Sequence, residues 1–155
     1  MNRFYDTEGD VSVQLAPWEL TRLGIPTKTA WFKLRYQVRF RSTTAGCDIV
    51  VPAGFLSDLA SIPQFAWSLF MASDDPRIEL GGWVHDLLYA THRGDIPRPT
   101  SLRVLTKDEC DRILAFEAMP ELGATRFQQR AVYLALRLFG DAAWDKAQAA
   151  PKENA

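Results

Sequence analysis

Residues 31–41 read WFKLRYQVRFR. Phe32, Leu34, Tyr36, Val38 and Phe40 alternate with Lys33, Arg35, Gln37, Arg39 and Arg41. A period of two sends alternate side chains to opposite faces of a strand. The stretch therefore predicts one strand with an apolar face inward and a basic face in water. STTAG (42–46) then reads as a turn, and CDIVVPAGF (47–55) as a second strand ending at Pro52-Ala53-Gly54. VSVQLAPWEL (11–20) offers an earlier strand. No aromatic residue interleaves with the basic face to stack on bases, so a solvated face is expected there and no nucleic-acid partner.

After Gly54 the signals turn helical. Ser61 with Pro63 predicts a short helix over about 62–71. Asp75-Pro76 predicts a cap and first helical position, with the helix running to about Thr91. Thr106 with Glu109 and Thr125 with Gln128 form two capping-box patterns. The first opens a helix ending near Met119-Pro120, the second a helix closed by Gly140. The expectation is one α+β domain over 1–145: a small antiparallel sheet in the first third, then about four helices. Residues 146–155 read as a frayed tail.

The totals narrow the function. At 155 residues the chain can bury a sizeable core. A net charge of −1 gives no general pull toward nucleic acid or an anionic surface. Cys47 and Cys110 have no close partner in sequence, which argues against a disulfide framework or a cysteine-based zinc site and for a reducing compartment. The opening MNRFYDTEGD is polar and acidic, unlike a signal peptide. No apolar run approaches the roughly 18–20 residues that span a bilayer, so no transmembrane segment is expected.

Chemistry concentrates in GGWVHDLLYATH, 81–92, which holds both histidines. His85 and Tyr89 stand at i and i+4 and share a helix face. Glycine inside a helix costs roughly 1 kcal/mol, so Gly81 and Gly82 call for a reason: close approach of another backbone, or room for a ligand. Asp86 points about 100° away from His85 along the helix wheel, suited to a cation or to capping a loop. Asp111 lies at the core edge of the next helix, where it can meet the imidazole, fix its tautomer and free the other nitrogen as a base. Asp108 pairs with Arg112 at i+4 on the wet face. In VPAGFLSDLASIP (51–63), Asp58 is a candidate metal ligand and Ser61 a candidate nucleophile, and both can equally be helix caps. His92 reads as surface.

Two resemblances follow. VPAGFLSDLASIP, VHDLLY, CDRILAFEAM and AVYLALRLFG together resemble the signature blocks of a phage and prophage family catalogued as domain of unknown function 1353. That resemblance implies a phage origin, synthesis in the host cytoplasm and, for a virion component, other virion proteins as partners. The pattern His85-Asp86-x-x-Tyr89 … Asp111 is similar to that of phospholipase A2, over about 35 residues. It implies that His85 is the base that activates water, supported by Asp111 and Tyr89. It implies calcium as cofactor, held by Asp86 with Asp58 as a further ligand, and envelope lipid as substrate. The glycine-rich calcium loop of that family has no close match here. The rivals are a non-enzymatic tail or assembly component, in which these residues form a structural polar network, and a Ser61–His85–Asp111 triad, which lacks a Gly-x-Ser-x-Gly elbow.

Overall fold

The structure is a computed structural model, and it describes residues 3–5, 11–72, 75 and 77–146. The expected α+β class holds: short antiparallel strands come first, and the rest is helical. Six strands, β1 (Phe4–Tyr5), β2 (Ser12–Gln14), β3 (Phe32–Leu34), β4 (Val38–Ser42), β5 (Cys47–Val51) and β6 (Leu56–Ser57), form two three-stranded antiparallel sheets rather than one.

The stretch 31–41 is the point of division. It is two strands, not one. β3 pairs with β2 and β6, whereas β4 pairs with β1 and β5. Leu34, Val38 and Phe40 are buried as the alternation predicts, but Tyr36, on the same phase, is exposed at the bend. Two contacts hold the bend: Leu34 and the Phe55–Gly54 turn exchange backbone hydrogen bonds, and Arg35 N–H donates to Val11. Side-chain periodicity survives a change of partner strand, so the alternation could not reveal it. The β4–β5 hairpin keeps strict register, with Val38 opposite Val51 and Phe40 opposite Ile49, and all four side chains are buried.

The PWEL stretch is the helix α1 (Pro17–Arg22), which the strand reading of 11–20 missed. Pro17 occupies its first position, and the Glu19 carboxylate accepts from Ala16 N–H at 2.7 Å. The helix expected over 62–71 is a 3₁₀ turn (Gln64–Ala66) running into α2 (Trp67–Phe70). Pro63 stands at its N-cap, so Ser61 is not a cap there.

The long helix α3 (Glu79–Arg93) starts three residues later than the Asp75-Pro76 reading predicts. Asp75 instead accepts from the backbone and guanidinium of Arg77, and Pro76 lies outside the described residues. Gly94, at φ 74°, closes α3 in the left-handed conformation that glycine adopts without a Cβ penalty. The Thr106 capping box opens α4 (Lys107–Arg112), which continues as a π-helical segment (Ile113–Ala118) and α5 (Met119–Glu121). The Thr125 box opens α6 (Arg126–Phe139). Gly140 ends α6, and α7 (Asp141–Asp145) follows, with Trp144 packed against the core. Of the expected frayed tail, residues 147–155 lie outside the described residues.

The helix α3 is the axis of the core, with residues 80–90 buried without interruption. Its glycines are explained by packing, not by ligand room. A Cβ on Gly81 would stand 3.1 Å from Leu114 Cδ1 of the π segment. A Cβ on Gly82 would meet Phe70 and Ile62 at ordinary contact distances.

Candidate active site

Three elements converge on His85. The helix α3 carries His85, Asp86 and Tyr89; α4 carries Asp111; and the strap after β6 carries Asp58 and Ser61. His85 Nε2 lies 3.0 Å from Asp111 Oδ1, and Nδ1 lies 2.9 Å from Ser61 Oγ. The Tyr89 hydroxyl donates to the same Oδ1 at 2.6 Å. Lys107 Nζ donates to Asp111 Oδ2 at 2.9 Å, and the Arg137 guanidinium stands 3.5 Å from it.

Charge fixes the tautomer. Burial alone would push the Asp111 carboxyl up, but its bonds from His85, Tyr89 and Lys107 hold it below the ordinary carboxylate value. An anionic Asp111 accepts only, so Nε2 of His85 carries the proton and Nδ1 is left as an acceptor aimed at Ser61. Burial also lowers the His85 value, against the opposing pull of Asp111, so the ring is neutral. The Tyr89 phenol is raised by burial and by the Asp111 charge, and it remains a donor.

Asp86, the next residue, has the opposite surroundings. Ser57 Oγ donates to Asp86 Oδ2, and the hydroxyl and backbone N–H of Ser61 also face that carboxyl. Burial, reinforced by the negative charge of Asp58 and only partly offset by Ser61 and Arg93, pushes the Asp86 carboxyl up to about 7. Near neutral pH a proton therefore resides on Asp86 in a large share of molecules. A protonated Asp86 can donate to Ser61 Oγ while Ser61 donates to His85. The line then runs from Asp86 through Ser61 and His85 to Asp111 with no proton conflict.

The strap that presents Ser61 is tightly turned. Ser57 Oγ accepts from Leu59 N–H, and Asp58 Oδ1 accepts from Ala60 N–H. Leu59 has φ 56°, the one positive φ among described residues other than glycine. Such a conformation costs on the order of 1–3 kcal/mol and gathers at functional sites. Ser61 and Asp86 border a cleft of about 40 Å³ that Ser57, Asp58, Arg93 and Lys146 also line. His85 and Asp111 lie behind that floor, with no exposed side-chain surface.

A model described as "Protein of unknown function (DUF1353)" matches residues 32–136, from β3 into the body of α6. The chain belongs to the DUF1353 family. No curated protein and no solved structure matches it. In this DUF1353 chain, the matched span holds Ser57, Asp58, Ser61, His85, Asp86, Tyr89, Lys107 and Asp111, while Arg137 falls one residue beyond it.

The structure thus brings together His85, Tyr89, Asp111, Ser61 and Asp86, and it places Asp58 on the cleft wall. His92 is exposed and stacks on Trp144 at 3.6 Å. Sequence reading passed over Lys107, although its i, i+4 spacing to Asp111 was a usable signal. It also passed over Ser57, Arg93 and Arg137, which chain folding alone brings to the site.

The donor set falls short of a calcium shell. Calcium takes six to eight oxygens. Here three carboxylates border the cleft, but Asp86 already engages two serines, Asp58 Oδ1 is held by its own loop, and Asp95 is ion-paired with Arg93 at 2.8 Å. Among the described residues no three His, Cys, Asp or Glu side chains gather to hold a metal ion. Among the described residues no helix is long and apolar enough to cross a membrane.

Proposed function

We propose that the chain hydrolyses an acyl ester, with Ser61 as nucleophile, His85 as its base and Asp111 as the residue that orients His85. The observation that carries this reading is the 2.9 Å approach of Ser61 Oγ to His85 Nδ1, while Asp111 holds Nε2 at 3.0 Å. A hydroxyl within reach of a base that a third group orients is the geometry of an activated nucleophile. Ser61 Oγ would attack the carbonyl carbon as its proton passes to Nδ1. The acyl–oxygen bond would break as that proton goes to the leaving alcohol. Water would then cleave the acyl–Ser61 ester by the same base, releasing the acid. Arg93, which lines the cleft with its guanidinium bonded to Asp95 and to the Ala143 carbonyl, would supply positive charge near the developing oxyanion. The phospholipase-A2-like pattern of His85, Tyr89 and Asp111 suggests envelope lipid as the substrate class.

The test is labelling by a fluorophosphonate probe, with the modified peptide identified by mass spectrometry. Covalent capture at Ser61, lost in His85→Ala, supports the reading. Labelling elsewhere, or none in a folded protein, overturns it. Ester hydrolysis in Ser61→Ala should fall by about 10⁴-fold or more.

Two rivals each have an observation in their favour. The phospholipase-A2-like version, with calcium at Asp86 and Asp58, is supported by Tyr89 and His85 sharing Asp111 Oδ1 and by both acids bordering one cleft. It predicts that Ser61→Ala, which makes room for water at Nδ1, stays active in calcium. A virion tail or assembly component, made in the host cytoplasm and carried into the particle, is supported by the complete covering of His85 and Asp111. It predicts no hydrolysis, and a Ser61→Ala protein that still assembles with the other virion proteins.

A further inference from the structure

We propose that the groove on the far side of residues 58–60 seats a long apolar acyl chain of the ester that Ser61 attacks. The inference rests on the hydrolase reading for its chemistry and on a separate part of the molecule for its evidence. The groove measures about 880 Å³, within the range of small-molecule sites. Phe32, Leu59, Ile62, Trp67 and Met71 supply its apolar lining.

Its position is the informative point. Asp58 and Ala60 line both this groove and the cleft at Ser61, so a single strap separates the two spaces. Along that strap the side chains divide. Ser57 and Ser61 line the cleft, whereas Leu59 and Ile62 line the groove. The left-handed turn at Leu59 lies at the division. A ligand laid over the strap would meet the Ser61 hydroxyl at one end and an apolar trough at the other. The occupant this fits has a carbonyl head and a flexible hydrocarbon tail. Met71 is half exposed at the groove wall, an apolar side chain left in water until such a tail covers it.

Two measurements test it together. The first is the rate on p-nitrophenyl acetate, octanoate and dodecanoate. Each buried methylene is worth several-fold in binding, so kcat/KM should rise by at least about tenfold from acetate to dodecanoate. Met71→Asp should remove that rise. Leu138→Asp, at a more exposed apolar position on α6 outside the groove, should leave the rise unchanged. The second is calorimetric titration of dodecanoate, with acetate as control, into wild type, Met71→Asp and Ser61→Ala. Dodecanoate should bind wild type and Ser61→Ala, and bind Met71→Asp at least about tenfold more weakly. Dodecanoate binding without hydrolysis of any ester would leave the groove standing and end the hydrolase reading. Hydrolysis with no chain-length dependence and no dodecanoate binding would do the reverse.

Discussion

Two buried aspartates on either side of His85 show how partners decide the charge of a carboxyl. Asp111, behind the imidazole, accepts from an imidazole, a phenol and an ammonium, with a guanidinium close by. Asp86, in front, has two serines and a second acid. Burial opposes the charge at both. At Asp111 the donors win and the carboxyl stays below its ordinary value; at Asp86 burial wins and the carboxyl rises to about 7. The rear of the site is therefore a fixed anion that orients His85. The front is a carboxyl that changes charge near neutral pH, beside the hydroxyl that faces His85.

Removing the rear acceptor should have the largest effect. Asp111→Ala leaves His85, Tyr89 and Lys107 without their shared acceptor. Breaking a buried charged pair costs about 3–5 kcal/mol, so the urea midpoint should fall sharply. A loss under about 1 kcal/mol would mean that the two aspartates do not differ as described.

The second test reads the front. The Asp86 value lies above the 3.8 of an unperturbed aspartate, so the folded state holds that proton more tightly than the unfolded chain. Its contribution to stability is full below pH 3.8 and lost as pH rises through about 7. Asp86→Asn, which cannot ionise, should gain on wild type across that window by a few kcal/mol, then hold the gain. His85 runs the other way. Its lowered value means that its contribution is full above pH 6.5 and lost as pH falls below it. Unfolding free energies of both proteins at closely spaced pH values would separate the two trends. Parallel curves would refute the raised Asp86 value.

Ser61→Ala should lower stability by only about 1 kcal/mol, the usual net worth of a hydrogen bond, while abolishing ester hydrolysis. A loss of several kcal/mol, with no activity in wild type, would favour the structural reading of the same residues.

The smallest test repeats the comparison in apolar groups. Gly81 faces Leu114, on the continuation of the Asp111 helix, at 3.1 Å from a would-be Cβ. Gly82 faces Ile62 and Phe70, beyond Ser61, with ordinary clearance. Gly82→Ala should raise the melting temperature, because alanine favours a helix interior by up to about 1 kcal/mol. Gly81→Ala should show no such gain, since Leu114 must first give way. Equal gains would mean that the rear of the site is no tighter than the front.

How much of this the sequence carried differs by residue. Both capping boxes were legible because their contacts are local: Thr106 and Thr125 each bond a backbone N–H three residues on. The meeting of His85, Tyr89 and Asp111 was legible because i, i+4 spacing and an apolar stripe set the faces of two helices. Residues 31–41 were misread as one strand, because alternation records which face is buried and not which strand is the partner. Ser61 looked like a cap because the motif is local, whereas its partners stand 24 and 25 residues away along the chain.

By itself, then, the sequence determined the α+β class, the helix starts at Lys107 and Arg126, and the residues able to do chemistry. Those depend on propensity, capping and periodicity, which act within a turn or two. Tertiary structure decided that Nδ1 of His85 faces a serine, that Asp86 changes charge near pH 7 while Asp111 stays an anion, and that the Ser61 strap divides a polar cleft from an apolar groove. Burial and charge arise between segments distant in sequence, and only the folded chain sets the distances on which both depend.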